Sequence, residues 1–155
     1  MLSYLSELIS TEFIFINLKA VTDVEVLLTL SSHLENANIV KNTFKQAVLE
    51  REQLTPTGLI TKIMGVAIPH TDIEHVNKSV IAIGVLADPV LFRSMEDPEK
   101  KIKTELVFML ALRESFSHLN VLKELIEVLQ NEDLLKKIVS CTTPDELRNY
   151  LIGRC

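Results

Sequence analysis

The spacing of apolar positions changes along the chain, and each change marks an element. Residues 13–16 (Phe13, Ile14, Phe15, Ile16) form a short β-branched and aromatic run, the pattern of a first strand. Val24, Leu27, Leu28, Ser31 and Leu34 then recur at helical spacing, ending near Asn36-Ala37-Asn38. Thr22-Asp23-Val24-Glu25 opens that helix as a capping box, in which each of the two end side chains satisfies an exposed backbone N–H of the other. A second helix is expected from about Asn42, with Phe44, Ala47 and Val48 on one face and Arg51 next along it. Thr55-Pro56-Thr57-Gly58 breaks it.

Beyond this break, residues 66–68 read as a strand stopped by Pro69, and residues 80–86 are apolar on both faces, as a buried central strand must be. Residues 90–92 read as a short further piece after Pro89, and residues 105–112 as another doubly buried strand. The period then turns helical, with Leu119, Leu122, Leu125, Ile126 and Leu129 in one stripe. A short helix is expected over residues 133–139. The last begins at Thr143, with Pro144 in the first helical position and Glu146 completing a second capping box. This alternation predicts an α/β fold: a single-domain sandwich over residues 1–155, its central mixed sheet flanked by helices on both faces.

The 155 residues suffice for one hydrophobic core, and 4 Gly with 5 Pro leave no flexible linker to expect. The longest apolar run, residues 106–112, is too short to span a bilayer. Residues 1–10 lack the features of a secretory signal, so a cytoplasmic protein is expected. A net charge of −5, with Lys and Arg interleaved among acids, argues against nucleic acid as the partner. Cys141 and Cys155 have no metal-ligand spacing, and a disulfide is not expected in a cytosolic chain.

Chemistry narrows by elimination. No nucleotide-binding glycine loop, nucleophile elbow or zinc-protease helix is present, which removes the main warrant for kinase and hydrolase readings. Histidine remains. His70 follows Ala67-Ile68-Pro69 at the carboxyl end of an expected strand, where ligand sites of open α/β sheets gather. Neutral imidazole is a competent nucleophile near pH 7; the alternative is a loop histidine bonded to backbone. His118 falls in the first turn of the leucine-rich helix, on the side of Leu122, Leu125 and Leu129. It is either a core residue or part of an anion-favouring helix start. Arg51 is either a cation at a helix C-terminus or a fork donor to phosphoryl oxygens. His75, five residues beyond His70, matches no standard metal spacing, and His33 reads as a surface or helix-end residue.

Arg51-Glu52-Gln53-Leu54-Thr55-Pro56-Thr57-Gly58 followed by Gly65-Val66-Ala67-Ile68-Pro69-His70 resembles the enzyme IIA domains of the fructose/mannitol class in the bacterial phosphoenolpyruvate-dependent sugar phosphotransferase system (PTS). The likeness runs from about Phe13 to Ile152. Within the class the chain looks most like the galactitol-type branch, through Pro69-His70-Thr71-Asp72-Ile73-Glu74-His75-Val76, Pro89-Val90-Leu91-Phe92 with Met95 beyond, and Leu106-Val107-Phe108-Met109-Leu110-Ala111-Leu112. The resemblance implies that His70 is phosphorylated, with Arg51 and His118 as neighbours; His118 stands where mannitol-type domains carry a second histidine. It further implies phospho-HPr as donor, a cysteine of enzyme IIB as acceptor, and indirect association with the membrane permease IIC. No cofactor and no metal are implied. An exposed apolar rim around a shallow depression is expected, since two proteins must reach His70 in turn. Two rivals stay open: a nitrogen-type regulatory paralogue, and a ligand- or metal-binding module using His70, Asp72 and His75.

Overall fold

The computed structural model describes residues 3–114 and 117–153. In chain order the elements are α1 (Ser3–Leu8), a 3-10 turn (Thr11–Phe13), β1 (Ile14–Leu18), α2 (Asp23–Asn36), α3 (Phe44–Leu54), β2 (Gly58–Ile60), β3 (Gly65–Ala67), a second 3-10 turn (Ile73–His75), β4 (Val80–Arg93), β5 (Lys101–Ala111), α4 (Ser117–Leu129), α5 (Glu132–Ser140) and α6 (Pro144–Gly153). The five strands form one mixed sheet in the order β1-β4-β5-β3-β2. β1 runs parallel to β4 and β3 parallel to β5, whereas β4–β5 and β2–β3 are antiparallel.

The period of two along the central strands divides the core. Ile81, Ile83 and Val85 of β4, with Leu106, Phe108 and Leu110 of β5, pack with buried residues of α1, α4, α5 and α6. Val80, Ala82 and Leu86, with Val107, Met109 and Ala111, pack with Val26, Leu27, Leu30 and Leu34 of α2 and with Phe44 and Val48 of α3. Two apolar faces thus receive two helical layers, which is the expected sandwich.

Both capping boxes form, displaced by one residue. The Thr22 hydroxyl accepts from the Glu25 N–H at 3.2 Å, and the Glu25 carboxylate accepts from Val21 rather than from Thr22. Likewise Thr143 accepts from Glu146, whose carboxylate accepts from the Thr142 N–H at 2.9 Å. At the far end of α2, Asn38 takes φ 61°, the Ile39 N–H donates to Leu34 and the Asn38 N–H to Glu35, a Schellman closure.

Several expectations are corrected. The strand expected over residues 13–16 begins one residue later, because Phe13 closes a 3-10 turn. Residues 90–92 are not a separate piece: β4 runs on through Pro89, with its pairing to β5 irregular between Val85 and Val90. Proline has no N–H for the ladder, so it sits where the ladder is already interrupted. The helix expected from Asn42 starts at Phe44. In α4 the buried side chains are Val121, Glu124, Leu125 and Val128, while Leu119 and Ile126 face solvent. The buried stripe is rotated because a buried Glu124 takes the place of a leucine: its carboxylate accepts from the N–H groups of Tyr4 and Leu5 at the start of α1. Cys141 is a buried free thiol whose pKa is pushed up to about 11, chiefly by burial and then by Glu146. Cys155 lies outside the described residues.

Candidate functional site

Strand direction gathers the candidates at one edge of the sheet. Because β3 and β5 are parallel, their carboxyl ends share an edge: Ala67 pairs with Val107, and His70 makes an isolated bridge to Leu110. The Leu110 N–H donates to the Pro69 carbonyl at 2.9 Å, so His70 is held beside the last residues of β5. Five residues separate the end of β5 at Ala111 from the start of α4 at Ser117, and His118 lies in its first turn. The side chain of His118 lies outside the described residues.

α3 reaches the same edge from the other layer. β2 is antiparallel to β3, so its first residue, Gly58, pairs with Ala67, and α3 ends at Leu54 just before it. Arg51, in the last turn, places its Nη1 3.1 Å from Asp72 Oδ1, two residues past His70. Arg51 is half-exposed rather than on the apolar side. The true buried series in α3 is Phe44, Val48 and Glu52, at a period of four.

His70 is itself half-buried, on the buried Pro69. Its Nδ1 lies 2.9 Å from the Ile68 carbonyl oxygen. A carbonyl only accepts, so Nδ1 carries the hydrogen, and in the neutral ring the lone pair sits on Nε2. In that tautomer Nε2 is the ring nitrogen able to act as a nucleophile, and Arg51 bonds Asp72 two residues along the same loop.

Sequence reasoning missed Glu52. It is buried, and both carboxylate oxygens accept from Thr57: Oε2 from the N–H and Oε1 from the hydroxyl, each at 2.8 Å. Burial raises its pKa above the usual carboxylate range, Asp23 adding to the rise and the Thr57 bonds and Arg93 opposing it. The signal was available: Glu52 continues the Phe44–Val48 spacing, but a carboxylate there reads as solvent-facing. Of the other histidines, His33 is exposed and stacks on Phe15 with ring centroids 4.4 Å apart. His75 meets the Thr43 hydroxyl at 2.8 Å through Nδ1 and Glu74 through Nε2. Asp72 thus faces Arg51 while His75 faces Thr43 and Glu74. Exposed apolar side chains stand at Leu54, 80% exposed at the end of α3, and at Leu119, 77% exposed in the first turn of α4.

The structure is an α/β sandwich with a histidine at the carboxyl edge of its parallel strands, and the sequence assigns the chain to one family. The chain belongs to the EIIA 2 family of the phosphoenolpyruvate-dependent sugar phosphotransferase system, whose model matches residues 7–153. It is 31% identical over 150 residues to the mannitol-specific EIICBA component of Escherichia coli K12, covering 94% of this chain and 22% of that longer protein. With the galactitol-specific EIIA component of the same strain it shares 28% over 127 residues, covering 81% of this chain and 83% of that one. The structure of enzyme IIAMTL from Escherichia coli, solved in complex with phosphorylated enzyme IIBMTL, superposes with a TM-score of 0.78 at 29% identity, covering 95% of this chain and all of that one. Among the described residues, no helix is long and apolar enough to cross a membrane.

Proposed function

We propose that this chain is a cytoplasmic phosphoryl carrier acting as one IIA domain, with His70 as the residue that is phosphorylated. The observation carrying the reading is the Nδ1–H bond to Ile68, which leaves the nucleophilic lone pair on Nε2. Nε2 attacks the phosphorus of phospho-HPr in line, so that a new N–P bond forms as the donor's N–P bond breaks. A thiolate of enzyme IIB then takes the group, forming S–P as the N–P bond to His70 breaks. Transfer of this kind needs geometry and donors for the equatorial oxygens more than covalent machinery. Arg51 supplies a fork donor, exchanging its bond to Asp72 for one to the phosphoryl group, and the backbone start of α4 adds positive potential. Leu54 and Leu119 suit transient docking of the two partners. The transported compound is galactitol or a related sugar or polyol, a reading supported by the relative named for galactitol.

The test is incubation with phosphoenolpyruvate, enzyme I and HPr, followed by mapping of acid-labile phosphate. His70→Ala should abolish labelling and leave the urea unfolding curve unchanged; normal labelling of that variant would refute the site. Offering the labelled protein to galactitol- and mannitol-type enzyme IIB then reads the substrate branch. Labelled protein that no enzyme IIB discharges would instead favour a nitrogen-type regulatory role.

A further inference from the structure

We propose that Glu52 and Thr57 form a positioning relay that keeps the His70 proton on Nδ1 and thereby sets the rate at which Nε2 takes up phosphate. The proposal rests on His70 being the phosphoryl acceptor and concerns two residues that touch neither the donor nor the ring.

The relay follows from the direction of each hydrogen bond. A carboxylate only accepts, so the Thr57 hydroxyl must spend its hydrogen on Glu52 Oε1, 2.8 Å away. Thr57 Oγ1 is then left with lone pairs alone, and the Ile68 N–H points at it from 3.2 Å. The same N–H is shared with the Thr57 carbonyl at 3.4 Å, so both halves of Thr57 hold Ile68. The last ladder pair between β2 and β3 is Gly58 with Ala67. Thr57 and Ile68 therefore extend the pairing one step past the strands, toward His70, with a side chain taking part. Ile68 in turn precedes a proline, which restricts its own backbone to extended conformations. Its carbonyl is the group that takes the Nδ1 hydrogen at 2.9 Å. Which imidazole nitrogen holds the proton is set by the bond that the other one makes, so the place of this carbonyl decides where the nucleophilic lone pair lies.

A buried carboxylate is a costly way to hold a turn. Glu52 and Thr57 are 6% and 2% exposed, and burial works against the charge. What the charge supplies is a fixed direction for the hydroxyl. A neutral amide in its place offers one acceptor and one donor, and its N–H₂ would compete with Ile68 for the Thr57 oxygen.

The experiment compares Thr57→Val, Thr57→Ser and Glu52→Gln with the wild type in two readouts. Imidazole nitrogen shifts in NMR report the His70 tautomer, and rapid-quench labelling from phospho-HPr reports uptake. Wild type should show a protonated Nδ1. T57V, which keeps shape and loses the hydroxyl, should show a mixed tautomer and uptake slowed about 10- to 100-fold. T57S should restore both, and E52Q should follow T57V. Circular dichroism and urea unfolding select the variants that fold, and T57V and E52Q change different partners, so the loss of one leaves the other. An unchanged ring, or unchanged uptake, in a folded T57V or E52Q beside a normally labelled wild type would overturn the relay alone. A wild type that takes no phosphate on His70 would overturn the reading beneath it.

Discussion

Arg51 and Asp72 meet at 3.1 Å with 38% and 63% of their side chains open to water, an arrangement in which an ion pair adds little to stability. In the proposed function the pair is a tether that holds a guanidinium at Asp72, in the loop carrying His70. Arg51→Lys should therefore change the unfolding free energy by less than about 0.5 kcal/mol and slow phosphoryl uptake about 10-fold or more, because an ammonium cannot reproduce the planar fork. Equilibrium urea unfolding and rapid-quench labelling separate the two effects; a loss of stability with normal uptake would make Arg51 structural. At this scale the sequence was informative where chemistry leaves a local mark. Pro69-His70 at the end of an apolar run, and an arginine in the last turn of a helix, could be read directly. Glu52 could not, since only the packing of α3 on the sheet turns a helix-surface carboxylate inward and gives it Thr57 as partner.

Elements were legible wherever periodicity and caps agree. The Thr22 and Thr143 caps, the Asn38 closure and the two-faced β4 and β5 all follow from local residue order. α1 was not read, because six residues with little apolar period make a marginal helix on their own. It is held from outside: the Glu124 carboxylate, 119 and 120 positions away in the chain, closes on the N–H groups of Leu5 and Tyr4 at 3.0 and 3.1 Å. The same contact rotates the buried stripe of α4 away from Leu119 and Ile126. Glu124→Ala should cost about 2 kcal/mol, as for a charge-assisted bond lost in a buried site, and should speed amide exchange at Tyr4 and Leu5. Exchange unchanged at those two amides would mean that α1 is held by its apolar contacts instead.

For the whole molecule, the buried Glu52 couples stability to pH. Its folded pKa is raised above the ordinary 4.5, with Thr57 and Arg93 opposing the burial and Asp23 adding to it. Between 4.5 and the raised value the folded protein holds a proton that the unfolded chain has released. Through that window this group's contribution makes stability fall as pH rises, and its share is most favourable toward and below the ordinary value. The difference in unfolding free energy between wild type and Glu52→Gln, followed by urea titration, should grow in favour of wild type as pH drops through the window. A flat difference would show that Glu52 titrates as it does in the unfolded chain. The sequence by itself determined the layers of this protein: two-faced strands demand helices on both sides, and capped amphipathic segments supply them. It also determined which imidazole stands at a strand end. Tertiary structure alone decided the strand order β1-β4-β5-β3-β2, and with it the edge shared by the carboxyl ends of β3 and β5. Contacts such as Glu124 to Tyr4, Arg51 to Asp72 and Thr57 to Ile68 join segments far enough apart that no local period records them. They exist because strand pairing, and the packing of helices on the sheet, bring together residues that the chain itself keeps apart.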